Sequence, residues 1–203
     1  CTNNQKGESM KLKIIHITLG KINPERMNGV NKVVNSQLTY QNRAGIDAEF
    51  WGLSFSSTHN YPERNFKTTL FKDHRLKFFL DKRIKQKIQA LAEHPNIVFH
   101  LHGVFLPQLY KLAKLLVKYK LPYVFTPHGV YNIEALKVSS WQKKIYINLF
   151  EKFLVNNAKC IQLIGESEKI GLISNFAPND VQLVPNGQHL INNTTKAFSR
   201  TKT

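Results

Sequence analysis

The sequence predicts an α/β protein built on a doubly wound parallel sheet, and three observations predict it. Strand-like and helix-like segments alternate along the chain. The strand-like runs are solidly apolar, as in strands buried on both faces. Two successive runs, Ile97–Leu101 and Tyr123–Thr126, lead straight into histidine and glycine (His100-Leu-His102-Gly103 and Thr126-Pro-His128-Gly129). In an open parallel sheet, ligands bind at the C-terminal strand ends. The chain of 203 residues is long enough for one well-buried domain.

In chain order, Leu12–Leu19 is rich in β-branched residues and stops at Gly20, which marks a first strand. Gly29–Arg43 has helical spacing, with Val30, Val33, Val34 and Leu38 along one side, and Gly45 ends it. Ala48–Leu53 is a second strand, followed by a long irregular loop over residues 54–70. Arg75–Glu93 returns to helical spacing, with Leu80, Ile84, Ile88 and Leu91 on one stripe, and Pro95 closes it. Ile97–Leu101 is the third strand, Leu106–Lys120 a helix and Tyr123–Thr126 the fourth strand. Trp141–Val155 is an amphipathic helix with Ile145, Leu149 and Phe153 inward; Lys159–Ile164, Ser167–Phe176 and Val181–Val184 then read as strand, helix and strand. Right-handed crossovers place the helices on both faces of six strands.

Composition narrows the function classes. The 29 basic residues against 13 acidic give a formal charge of +16, which points to an anionic partner or to a lysine-rich background. Cys1 and Cys160 make no disulfide framework, and Cys160, in an apolar run, reads as a buried thiol of a reducing compartment. No apolar run reaches the roughly 18–20 residues that span a bilayer. Residues 1–9 lack the apolar core of a signal peptide and read as an N-terminal extension, residues 10–190 as the domain, and residues 191–203 as a polar tail.

Several positions carry candidate chemistry. Asn28-Gly29 opens a helix, where glycine admits close backbone approach and free N–H groups suit a phosphate; a plain turn explains it equally. His128, beside Gly129, is placed to act as a base, hold a substrate hydroxyl or brace a phosphate, or only to satisfy backbone groups. His100 and His102 share one strand face beside Gly103. A His-x-His pair can bind metal, but no Cys or carboxylate cluster accompanies it, and no metal site is assigned. His16, among isoleucines, reads as a core histidine. Neither G-x-G-x-x-G nor G-x-x-x-x-G-K-[ST] occurs, which disfavours a dinucleotide or nucleoside-triphosphate site of the usual kinds.

Between Arg64 and Lys87, nine basic residues face two acidic ones, with Phe66, Leu70, Phe71, Phe78 and Phe79 interleaved. A basic amphipathic helix carrying Lys77, Lys82, Arg83, Lys85 and Lys87 suits an anionic membrane surface. Single-stranded nucleic acid would use the same ingredients, and a solvated helix face whose aromatics belong to the core is the plain alternative.

Taken in order, Leu12-Lys-Ile-Ile-His-Ile-Thr18, Asn28-Gly29-Val30, His100-Leu-His-Gly103, Pro122-Tyr-Val-Phe-Thr-Pro-His-Gly129, Ile164-Gly-Glu-Ser-Glu168 and Val184-Pro-Asn-Gly187 resemble the N-terminal domain of retaining GT-B glycosyltransferases of family 4, enzymes of bacterial glycan biosynthesis. The resemblance implies a Rossmann-like half of a GT-B fold. It places Asn28, Gly29, His100, His102, Gly103 and Gly129 on the substrate side, gives His128 the catalytic position near the transferred sugar, and makes Glu168 mainly structural at a helix start. It implies a nucleotide-diphospho-sugar as donor substrate, no cofactor, and a glycan or lipid-linked acceptor. The expected location is cytoplasmic, peripheral on the inner face of the cytoplasmic membrane; a non-catalytic basic α/β module that binds anionic membrane or nucleic acid is the alternative reading. The family's usual Gly-Gly is Asn28-Gly29 here, and its hydrophobic-Asp pair is Gln188-His189. The donor-binding second domain has no counterpart in these residues, so the chain alone is expected to be inactive.

Overall fold

The computed structural model describes residues 11–23, 29–56, 58, 64–132 and 141–186. The elements are β1 (Lys13–Leu19), α1 (Gly29–Arg43), β2 (Asp47–Ser54), β3 (Thr68–Lys72), α2 (Lys82–Leu91), β4 (Ile97–His102), α3 (Pro107–Lys118) and β5 (Tyr123–Thr126). They continue with α4 (Trp141–Tyr146), a π-helical turn (Ile147–Glu151), α5 (Lys152–Asn156), β6 (Cys160–Leu163), α6 (Ser167–Asn175) and β7 (Val181–Leu183). The seven strands form one parallel sheet in the order β3-β2-β1-β4-β5-β6-β7. The chain therefore winds one way from β1 and the other way from β4, and the β1/β4 pair is the switch point.

Two apolar clusters flank the sheet, as its alternating side chains require. Val34 and Leu38 of α1 pack on Ala48, Phe50 and Leu70 on one face. On the other, Ile84 and Ile88 of α2, Leu109, Leu112 and Leu116 of α3, Leu154 of α5 and Leu172 of α6 cover Ile15, Ile17, Phe99, Leu101 and Phe125.

The structure corrects the sequence reading in three places. A seventh strand, β3, lies where a loop over residues 54–70 was expected. It pairs with β2, and Phe66, Leu70 and Phe71 are core residues of this sheet edge. The helix expected from Arg75 starts at Lys82, because Asp81 caps it by accepting from the Arg83 amide at 2.9 Å. The segment Trp141–Val155 is not one regular helix. The π turn re-aims its faces, so Ile147, Glu151, Leu154 and Val155 are buried, while Ile145 and Leu149 of the expected inward stripe are 46% and 60% exposed. Cys160 is half-buried, and burial pushes its thiol up to about 11. No helix among the described residues is long and apolar enough to cross a membrane.

Candidate active site

At the C-terminal edge of the sheet, the ends of β1, β4 and β5 and the start of α1 enclose a cleft of about 250 Å³. Thr18 and Leu19 line it from β1, Gly103, Val104 and Leu106 from the loop after β4, and Pro127, His128 and Val130 from the loop after β5. Val30 and Asn31, in the first turn of α1, close the remaining side. The cleft thus sits at the switch point, where the diverging connections leave room for a ligand. The partial positive charge of a helix N-terminus favours an anion or hydroxyl beside the first turn of α1. A Cβ at Gly29 would meet no atom of the described residues within 4 Å, so the space beside the helix start is open among them.

The loop after β5 is built to hold His128. His128 (φ 55°) and Gly129 (φ 87°) are consecutive residues in the left-handed region, a sharp reversal that histidine tolerates better than bulky residues do. Glu168, buried in the first turn of α6, fastens this reversal: its carboxylate accepts the Gly129 amide at 2.6 Å and the Ile164 amide at 3.0 Å. Behind it, Gly171 lies so close to the Tyr131 carbonyl that any side chain there would collide with it.

Beneath the cleft lies a layer of histidines. Register sets His16 of β1 beside His100 of β4, and period-two alternation puts His102 on the same face. His16 Nε2 lies 2.8 Å from Gln41 Oε1 of α1, and His16 Nδ1 lies 2.9 Å from His102 Nε2. His102 Nδ1 is in turn 3.0 Å from His128 Nε2. His100 Nε2 bonds instead to the Thr126 hydroxyl at 2.7 Å. Thr18 donates its hydroxyl to the His102 carbonyl at 3.2 Å, tying β1 to β4 directly below the opening. Burial pushes His16 and His128 down to about 4, and His100 and His102 are held well below the usual imidazole range by burial and by the neighbouring imidazoles, His16 and His128 among them. All four rings are therefore neutral at pH 7.

His16, His100 and His102 each bring a ring nitrogen within 4.8 Å of the others. A zinc ion needs each nitrogen about 2.0–2.1 Å away. His16 Nδ1 and His102 Nε2 face each other at 2.9 Å, with ring planes 8° apart, and their shared hydrogen bond fills the space an ion would take.

Of the residues singled out from sequence, Gly103 and His128 line the cleft, and Gly29 stands at its edge as the first residue of α1. Gly129 contributes the amide held by Glu168. His100 and His102 are buried beneath the lining and are not among the residues that form it. Asn28 lies outside the described residues. The basic residues Lys77, Lys82, Arg83, Lys85 and Lys87 belong to a separate surface. There Lys77 pairs with Asp73 at 2.6 Å, and Arg83 folds back on Asp81 at 2.6 Å, whereas Lys82, Lys85 and Lys87 project from α2 into solvent. Sequence reasoning missed Thr18 and Asn31. The only signal for either was a polar side chain at an otherwise apolar strand end or helix face.

The family model for Glycosyltransferase Family 4 matches residues 27–190, from the α1 loop beyond β7. The chain belongs to glycosyltransferase family 4. Among solved structures, this family 4 domain is similar to Anabaena Alr3699/HepE in complex with UDP and glucose (TM-score 0.58, 13% identity, 87% of this chain and 45% of that one). The HepE complex with UDP-glucose gives a TM-score of 0.57 at 12% identity, covering 87% and 44%. A putative UDP-N-acetylglucosamine 2-epimerase from Listeria monocytogenes is also similar (TM-score 0.51, 8% identity, 82% and 44%). At these identities the likeness is one of fold: a Rossmann-like half of the GT-B architecture. The chain spans less than half the length of the structures it matches. No curated protein sequence matches it.

Proposed function

We propose that this chain is the acceptor-side domain of a retaining glycosyltransferase, which moves a sugar from a nucleotide-diphospho-sugar to a glycan or lipid-linked acceptor. The observation that carries this reading is the cleft at the β1/β4 switch point, with the α1 N-terminus on one side and His128 on the other. The UDP and UDP-glucose held by the HepE structures support a uridine-diphospho-sugar as donor. Most of the donor's contacts would come from a second domain, and no cofactor is needed.

In retention by front-face attack, the leaving phosphate helps deprotonate the acceptor, and the protein positions groups and stabilises charge. The α1 N-terminus would face developing negative charge, while a neutral His128 would hold a sugar hydroxyl by hydrogen bond. Among the described residues that line the cleft there is no pair of strand-end acids, which agrees with such a mechanism. In a protein that carries this chain together with a donor-binding domain, His128→Ala should lower sugar transfer by about 10²-fold, the scale of one lost acid–base or hydroxyl-holding group. Unchanged transfer would sink the assignment. The 203-residue chain alone should give no turnover.

A second surface supports peripheral attachment to an anionic membrane. Leu76 and Phe79 of the loop before α2 are 69% and 60% exposed, as are Trp141 (70%) and Leu149 (60%) of the α4 and π-turn segment. The two segments touch through Phe78 and Phe150, whose ring centroids are 5.0 Å apart. Lys82, Lys85 and Lys87 project from the adjoining α2, so apolar insertion and lysine attraction would act together.

A further inference from the structure

We propose that Gln41, His16 and His102 form a relay that fixes the tautomer of His128, holding its proton on Nε2 and leaving the Nδ1 lone pair as the acceptor that His128 brings to the cleft. Gln41, His16 and His102 are positioning residues in this scheme. The proposal rests on the acceptor-side reading for what meets Nδ1, and not for the tautomer itself.

Each step follows from the one before. The relay begins at Gln41 Oε1, a carbonyl oxygen that only accepts, so His16 Nε2, 2.8 Å away, carries the proton. A neutral imidazole has one N–H, so His16 Nδ1 is an acceptor. His102 Nε2, 2.9 Å from it, must then donate, which leaves His102 Nδ1 as an acceptor. His128 Nε2, 3.0 Å from that atom, must donate in its turn. His128 Nδ1 is left without a proton, and it has no hydrogen bond to any described residue.

The ring geometry agrees. His16 and His102 have centroids 5.1 Å apart with planes 8° apart, and His102 and His128 have centroids 5.2 Å apart. With nitrogens at 2.9 and 3.0 Å, such separations place each pair edge to edge along the N···N line rather than face to face. The rings thus direct lone pairs and N–H bonds at one another. Among the described residues no carboxylate bonds to any of the three imidazoles, so the relay is neutral throughout. His100 stands outside it, bonded to Thr126. Helix α1 serves the site twice: its first turn lines the cleft, and Gln41 near its last turn sets the proton order beneath it.

A histidine locked this way accepts a hydrogen bond from a hydroxyl without prior proton rearrangement, and it does not donate to one from Nδ1. The ligand chemistry implied at this point is therefore a donating sugar hydroxyl rather than a phosphate oxygen.

The test is long-range ¹H–¹⁵N correlation of the histidine side chains in the ¹⁵N-labelled chain at pH 7. The expected spectrum shows one tautomer at His128, with Nε2 protonated and Nδ1 unprotonated, and the same pattern at His16 and His102. A proton on His128 Nδ1, or two averaged nitrogens, would overturn the proposal. Gln41→Leu should move the two His128 nitrogens towards averaged shifts, whereas Gln41→Glu, which keeps the acceptor, should preserve the wild-type pattern. Unchanged His128 signals in Gln41→Leu would remove Gln41 from the scheme. If that variant does not fold, the wild-type spectrum still decides. With the expected tautomer in place, a His128 Nδ1 that does not respond to UDP-glucose in a protein that carries this chain together with a donor-binding domain would count against the placement of the sugar at this cleft alone.

Discussion

The Glu168 carboxylate accepts the Gly129 amide at 2.6 Å across 39 residues of sequence, and with its second oxygen takes the Ile164 amide at 3.0 Å. One buried side chain therefore joins the loop that carries His128 to the end of β6. Replacing it by alanine strands two amides and should cost about 2–4 kcal/mol, since a hydrogen bond to a charged group contributes roughly 1.5–3 kcal/mol. Glu168→Gln, which keeps one acceptor, should lose clearly less. Urea denaturation of both variants checks this, and equal losses would mean that the two amides are not what Glu168 serves.

Stability should fall on mild acidification. His16 and His128 are pushed down to about 4 from an ordinary 6.5, with His100 and His102 also lowered. A depressed histidine means that the unfolded chain binds the extra proton first, so stability is lost as pH drops from about 6.5 through about 4. Glu151 acts in the opposite sense, but it is one group against four. The urea midpoint should be lower at pH 5 than at pH 7; a flat or rising midpoint would contradict the buried histidine layer.

Glu151 supplies its own test. Burial raises its carboxyl from 4.5 to about 7, although the Tyr131 hydroxyl at 2.6 Å and the Phe105 amide at 3.2 Å both donate to it. Its folded-state value is the higher one, so the stability it adds is complete below about 4.5 and disappears as pH rises through about 7. Glu151→Gln retains an acceptor for both donors and carries no charge. It should stabilise the protein by about 1 kcal/mol or more at pH 8 and have little effect at pH 5. Thermal melts at the two pH values read this directly.

What the sequence showed and what it hid have physical reasons. β1, α1 and β5 were legible because each is a long apolar or periodic run stopped by glycine or proline. β3 was not. Five residues at a sheet edge, Thr68–Lys72, have no period of their own, and Leu70 and Phe71 are buried on opposite faces, so they read as part of the basic stretch that follows. His100 and His102 were visible as a pair on one face, but their contact with His16 depends on the β1–β4 register, which no local pattern encodes. Glu151 was invisible as a buried group because only the π turn and the distant Tyr131 and Phe105 make its burial tolerable.

Membrane attachment would depend on apolar insertion as well as on charge. Flotation with vesicles containing anionic phospholipid should carry the wild-type chain upward. Phe79→Ala with Trp141→Ala should reduce the bound fraction several-fold, as should Lys82→Glu with Lys85→Glu and Lys87→Glu. Arg83 is better left intact, because its clamp on Asp81 supports the start of α2. Unchanged flotation in both variants would remove this surface from the account.

The central claim, that the strand-end cleft handles the sugar, is tested most directly by amide chemical-shift mapping, with UDP-glucose, of a ¹⁵N-labelled protein that carries this chain together with a donor-binding domain. The account predicts shifts at Val30, Asn31, Gly103, Val104 and His128, the amides around the cleft, with their loss in Asn31→Leu. Shifts centred on the loop of Arg75 and Phe79, or none at millimolar ligand, would contradict it.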